Sequence, residues 1–305
     1  SSLLLLRGYL VFILLTTIRR QAVIAIPVIL VSLVVVTALA VSPRWNPKLY
    51  RKMLFSPEPF SEKDYNRKAR QGVEPVDVYI KTKSGTTIHG WYYELEGASH
   101  AVLLSHGNAG NVGSWSEMAE YALRSGMSAL IYDYRGYGLS DGTPTLWGIC
   151  EDGLAAYDWL ANHKGFAPEN IVLFGISMGT GVTCQIARQR KHFGVILESG
   201  FSNFRRLTNE IVPVTRYVPM VFYFRQPMNN MAVVRELETP KLIFHGALDE
   251  LIVVGHATEL FEAACDPKEL IIFPLGAHRG LGSREAQLQY AEAIASFLQI
   301  EKPAD

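Results

Sequence analysis

Cysteine is scarce in this chain: its 305 residues hold three, Cys150, Cys184 and Cys265. An odd number at wide spacing makes neither a disulfide framework nor a zinc site. Isolated cysteines of this kind are expected as small buried hydrophobes. A charge excess is missing as well, because 29 Lys and Arg balance 29 Asp and Glu. That balance argues against nucleic acid as a partner. The sequence shows no metal-ligand cluster, phosphate-binding loop or dinucleotide fingerprint, so no cofactor and no metal are expected. It also lacks internal repeats and low-complexity tracts.

What is present is unevenly spread. The stretch 22–41 is an apolar run without a single charge. As a helix it spans roughly 30 Å, the thickness of a bilayer's hydrocarbon core. Pro27 is placed in its first two turns, where a missing backbone bond matters least. The stretch 3–18 is also apolar apart from Arg7, and Arg19-Arg20 separate the two. It is expected as a second span or an interfacial helix whose arginines snorkel to headgroups. A cleaved signal is the competing reading, with Ala38-Leu39-Ala40 as a site, but the run is longer than a signal core. A buried core helix would show a polar face, and this run has none. The lipid bilayer is therefore an expected partner, with the chain anchored by its N-terminus. Arg7, Arg19 and Arg20 precede the run, and Arg44, Lys48, Arg51 and Lys52 follow it. These are nearly equal votes under the positive-inside rule, so the membrane face stays open, leaning to the cytoplasmic side.

From Val76 onward, short apolar strands alternate with amphipathic helices. The strands are expected at 76–83, 87–93, 101–105, 128–132, 171–174, 194–197, 241–244 and 270–273. The helices are expected around 114–125, 146–162, 178–190, 257–264 and 284–298. This order implies an α/β fold: a mostly parallel sheet covered by helices on both faces. The first two strands flank Ser84-Gly85 and make an antiparallel hairpin. One interval breaks the rhythm. Between Leu197 and Lys241 the chain is aromatic and proline-rich, and is expected to form a small cap over a site.

Two matches to G-x-S-x-G occur, Gly138–Gly142 and Gly175–Gly179. The motif marks a sharp strand-to-helix turn that exposes a serine, and only small residues fit beside it. Ser177 directly follows a strand and precedes a helical run. Ser140 sits in a loop, with Asp141-Gly142-Thr143-Pro144 behind it. Ser177 is thus the candidate nucleophile, near the positive N-terminal end of the following helix. A serine needs a base, and the base an orienting carboxylate. Of eight histidines, His278 lies in a glycine-flanked loop after the last strand and is assigned the base. His106 and His245 end strands and are taken as structural. Asp249, on the loop after the penultimate strand, is assigned the acid, with Glu198 as its competitor. Backbone amides must meet the charge that develops on a carbonyl oxygen. Met178 supplies one, and Asn108 in the glycine-rich loop 106–111 supplies the other.

Ser105–Asn111, Tyr132–Gly138, Gly175–Gly179 and His245–Asp249 come in an order that resembles the alpha/beta-hydrolase superfamily. The likeness is strongest to its membrane-anchored branch of bud-emergence-type proteins and protein depalmitoylases, and covers roughly residues 76–298. It departs from many relatives in carrying Ile176 and Met178 around the serine, and Arg279-Gly280 after His278. The resemblance implies the alpha/beta-hydrolase fold and carries over Ser177, Asp249 and His278 as triad and Asn108 and Met178 as oxyanion donors. It implies a hydrolase domain over 73–305, and an N-terminal anchor, here over 1–43, is typical of that branch. The stretch 44–72, rich in proline, aromatics and charge, is expected as a juxtamembrane linker, and the cap is expected at about 200–238. The expected activity is hydrolysis of an acyl ester or thioester, with a lipid or lipidated protein as substrate. An acyltransferase using the same triad and a non-catalytic membrane scaffold are the alternatives.

Overall fold

A computed structural model describes residues 2–42, 44–65, 70–219, 228–278 and 284–299. The chain divides into two compact units, the first built on the N-terminal helix and the second opening at Arg51.

In the first unit, α1 (Ser2–Val41) is one helix of 40 residues. No break separates the two apolar stretches, because arginine is a good helix former and Arg19-Arg20 do not interrupt the backbone. Pro27 consequently lies in the helix interior, not in its first two turns. There it withholds an amide from the carbonyl four residues earlier. The C-terminal end is closed by Asn46, whose Nδ2 donates to the Ala40 carbonyl at 2.7 Å. Residues Arg7–Ala40 are long and apolar enough to cross a membrane by length and composition, with a mean hydropathy of 2.9 over an 18-residue window within them.

A short helix, α2 (Pro47–Leu54), leads into the second unit, with proline at its first position where no amide is needed. Then come β1 (Ser56–Pro57), α3 (Glu62–Tyr65), and the hairpin β2 (Val76–Lys81) and β3 (Thr87–Tyr93). They are followed by β4 (Ala101–Ser105), β5 (Ala109–Gly110), α4 (Val112–Trp115), α5 (Glu117–Arg124) and β6 (Ser128–Tyr132). Next are α6 (Leu146–Asn162), β7 (Ile171–Ile176), α7 (Met178–Ala187), β8 (Gly194–Glu198), α8 (Phe204–Ile211) and α9 (Asn230–Val234). The chain continues through β9 (Lys241–Gly246), α10 (Gly255–Ala263), β10 (Lys268–Phe273) and α11 (Arg284–Leu298).

Eight strands form one sheet in the order β10-β9-β8-β7-β4-β6-β3-β2. The pairs β2–β3 and β3–β6 are antiparallel, and the rest are parallel. The central strands β4, β7 and β8 are buried at every residue, as parallel strands covered on both faces must be. Aromatic rings fill the layer under α11, where Phe244 and Tyr290 stack at 4.0 Å. The helix expected around 114–125 is two pieces meeting at Ser116. Asn111 caps the first, accepting from the Ser114 amide at 3.2 Å, and the Ser116 hydroxyl bonds back to Gly113 O at 3.0 Å, a local bond that bends helices. Cys150 and Cys184 are buried, but Cys265 is exposed, because it follows α10 in a surface turn.

Within the stretch 44–72, residues 51–65 belong to the second unit. Phe55 is buried, and Phe60 packs edge-on against His89 and Trp91.

Candidate active site

The loops that carry the candidate residues leave the C-terminal ends of β4, β7, β9 and β10, the edge where open parallel sheets bind ligands. Ser177 sits between β7 and α7 with φ of 53°, in the left-handed region that only a very tight turn imposes. The turn leaves no room beside it. A Cβ on Gly179 would stand 1.9 Å from Ser105 O, and one on Gly175 would stand 2.5 Å from Gly179 O. The Ser177 amide donates to the carbonyl of Glu198 at 2.9 Å, which ties the elbow to β8.

Three of the sequence candidates converge here. His278 Nε2 lies 3.1 Å from Ser177 Oγ, and His278 Nδ1 lies 2.8 Å from Asp249 Oδ2. A carboxylate only accepts, so the proton sits on Nδ1 and the Nε2 lone pair faces the serine hydroxyl. Asp249 Oδ1 accepts from the amides of Leu251 at 3.0 Å and Ile252 at 2.8 Å. Burial alone pushes this carboxyl up, but hydrogen bonds from His245, His278 and Ile252 outweigh it and hold it well below the usual carboxylate range. The acid loop and the base loop are stitched together: Ala247 N donates to Phe273 O at 2.9 Å and Leu248 N to Gly276 O at 2.8 Å.

The loop carrying Asn108 is fixed through its carbonyls. Tyr134 Oη donates to His106 O and Tyr137 Oη to Asn108 O, each at 2.7 Å. The Ser56 amide of β1 also donates to Asn108 O, at 2.8 Å. Trp115 Nε1 donates to Ala109 O at 2.6 Å. These bonds account for the Tyr132–Gly138 signature, whose tyrosines hold the neighbouring loop. Asn108, Ser177 and Met178 line one cavity of about 210 Å³, with Met53, Leu54, Phe201, Phe204, Leu207 and Ile211 among its walls. Part of its apolar lining comes from α8, within the interval expected to form the cap; residues 220–227 of that interval lie outside the described residues. α8 is pinned from below: His256 Nε2 donates to Glu210 Oε2 at 2.7 Å, and the Ser202 amide donates to His256 Nδ1 at 3.1 Å.

The competing candidates are placed elsewhere. Glu198 turns its side chain into the core, where Tyr290 Oη donates to it at 2.5 Å. Ser140 Oγ donates to Asp133 O at 2.9 Å and accepts from the His89 amide at 2.8 Å, which locks it inside a turn. His106 is buried among Tyr134, Tyr137 and Trp115. His245, expected from the sequence to be structural, contributes to the site indirectly. Its Nε2 lies 2.6 Å from Ile252 O and 3.4 Å from Asp249 Oδ2, so it braces the acid loop. The signal was its position four residues before Asp249, at a strand end. Arg279 and Gly280 lie outside the described residues.

A family model described as serine aminopeptidase, S33, matches residues 97–230. The uncharacterised protein YfhR of Salmonella typhi is 29% identical over 243 residues, covering 74% of this chain and 82% of that protein. An uncharacterised membrane protein of Saccharomyces cerevisiae is 28% identical over 236 residues, covering 76% of this chain and 82% of its own length. Among solved structures, a Pyrococcus furiosus esterase superposes with a TM-score of 0.63 at 19% identity, covering 81% of this chain and 97% of that one. The esterase domain of a Rhodothermus marinus protein superposes at 0.58 with 18% identity, covering 74% and 99%. At such identities these structures show the fold. By its sheet, its serine elbow and these likenesses, the chain has the alpha/beta-hydrolase fold.

Proposed function

We propose that this chain is a membrane-anchored serine hydrolase that cleaves carboxylic ester or thioester bonds of lipidic acyl substrates through an acyl-serine intermediate. The observation that carries the reading is the line Ser177 Oγ–His278 Nε2–His278 Nδ1–Asp249 Oδ2, with separations of 3.1 and 2.8 Å at its two links. His278 takes the Ser177 proton as Oγ attacks the carbonyl carbon, then gives it to the leaving oxygen or sulfur. Asp249 keeps the imidazole in the required tautomer and stabilises the imidazolium. The amides of Asn108 and Met178 meet the oxyanion. Water then attacks the acyl-serine by the reverse route.

The apolar lining supports an acyl chain as the group bound beside Ser177. The anchor rests on α1, on its length and apolarity, and on the yeast relative described as a membrane protein. The likeness to bud-emergence-type proteins and depalmitoylases points to lipid esters or lipidated proteins. The family model's description favours a second reading, removal of an N-terminal residue from a peptide. That chemistry needs a carboxylate to pair with the free ammonium. Among the described residues lining the cavity beside Ser177, none is acidic, which favours the acyl reading.

The deciding experiment labels the detergent-solubilised chain with a fluorophosphonate probe, as wild type, Ser177→Ala and Ser140→Ala. Labelling lost only in Ser177→Ala is expected, together with a fall in kcat on the order of a million-fold. Loss only in Ser140→Ala overturns the elbow assignment. Absence of labelling in the wild type overturns the hydrolase reading.

A further inference from the structure

Met53 and Leu54, the last two residues of α2, line the same cavity as Ser177, Asn108 and Met178. The backbone that follows them is fixed at once. Phe55 is buried, at 4% exposed. Ser56-Pro57 then pair in parallel with Ala109-Gly110. Through this pairing the Ser56 amide donates to Asn108 O at 2.8 Å and the Glu58 amide to Gly110 O at 3.1 Å. One wall of the cavity and the loop that carries an oxyanion donor are therefore a single hydrogen-bonded piece. α8 lines the same cavity through Phe204, Leu207 and Ile211. Met53 stands twelve residues along the chain from Val41, where the long apolar helix ends.

We propose that Leu54 and Met53 are specificity-determining residues that set the acyl-chain length, held in place by the clamp of β1 on the oxyanion loop. This rests on the acyl-serine reading above. The cavity of about 210 Å³ holds about seven groups the size of a water, each taking roughly 30 Å³. A methylene is of similar size, so about seven fit beside the carboxyl carbon, an acyl group of about eight carbons in all, and a longer chain leaves by the mouth. Leu54 is half-buried and bounds the cavity from within. Met53 is 60% exposed and stands at the mouth, where its unbranched thioether adapts to chains that pass it. Bulk added at Leu54 shortens the cavity; bulk removed lengthens it.

The test measures kcat/KM of the full chain in detergent for p-nitrophenyl esters from acetate to laurate, and reads the octanoate-to-acetate ratio. Leu54→Trp is expected to lower that ratio about tenfold or more, the discrimination a few apolar groups give in a closed pocket. Leu54→Ala is expected to move the preferred length about two carbons longer. Fluorophosphonate labelling of the same samples reports Ser177 independently. Ratios within about twofold of wild type in both variants, with labelling intact, overturn the inference and leave the hydrolase reading standing. A wild type that neither labels nor cleaves acetate overturns both. If Leu54→Trp loses labelling and unfolds early, Met53→Trp carries the same bulk on an exposed side chain. It is expected to lower the ratio as well, and an unchanged ratio there overturns the inference.

Discussion

Asp249 and Glu198 follow or end neighbouring strands, β9 and β8, and both are buried, yet their carboxyl groups are pushed in opposite directions. Asp249 collects the amides of Leu251 and Ile252, the ring of His278 and, at longer range, His245. These donors overcome burial and hold it well below the usual carboxylate range. Glu198 is desolvated, and the hydroxyl of Tyr290 only partly offsets that; burial pushes it up to about 7. Depth alone does not make a working carboxylate. The number of donors that reach it decides whether it carries charge where a histidine needs one.

The sharpest way to break this comparison is to neutralise each acid in turn. Asp249→Asn is expected to lower kcat about ten thousand-fold, which corresponds to about 5.5 kcal/mol of lost transition-state stabilisation. Glu198→Gln is expected to lower it by less than about tenfold, within the roughly 1.4 kcal/mol that a factor of ten represents. Equal losses in steady-state kinetics would erase the distinction.

The next effect is on stability and has a definite sign. The folded pKa of Glu198 lies above its unfolded value, so between about 4.3 and about 7 the folded chain keeps a proton that the unfolded chain has released. Stability therefore falls as pH rises through that window. Glu198→Gln removes the fall while its amide oxygen still accepts from Tyr290. Thermal unfolding at pH 8 should show the variant more stable by up to about 3 kcal/mol, with the difference vanishing near pH 4. Asp249 behaves oppositely. Its folded pKa is depressed, so its contribution is present above about 3.9 and is lost only as pH falls further. A wild type and variant that lose stability in parallel from pH 4.5 to 7.5 would refute the account of Glu198.

The two acids also show what the sequence made legible. Asp249 was readable because it follows the penultimate strand in a glycine-bearing loop, and position along a parallel sheet fixes which edge a loop occupies. The strands and most helices were readable from apolar period and turn residues. The partner that sets the state of Glu198 was not, since Tyr290 lies 92 residues away and no local pattern joins them. The β1–β5 pairing escaped for a different reason: two residues leave no alternation to detect. Residues 51–58 carry Pro57 and charged side chains typical of a linker, and tertiary contacts, the burial of Phe55 and the hydrogen bonds to Asn108 and Gly110 among them, give them a fixed place. Arg19-Arg20 divide the apolar pattern without dividing the helix, because arginine is a good helix former.

The left-handed backbone of Ser177 implies a trade between durability and chemistry. A non-glycine residue with φ of 53° is held there by its surroundings at an expense of roughly 1 kcal/mol. Glycine pays no such penalty. Ser177→Gly is therefore expected to abolish turnover yet melt higher than wild type, by about 2 °C for a change near 1 kcal/mol, in paired thermal unfolding scans. A lower melting point would show that the surroundings favour the serine. If the gain appears, any population of this protein evolving under heat without demand for activity should lose its nucleophile early, and each surviving Ser177 would record that turnover was still being selected.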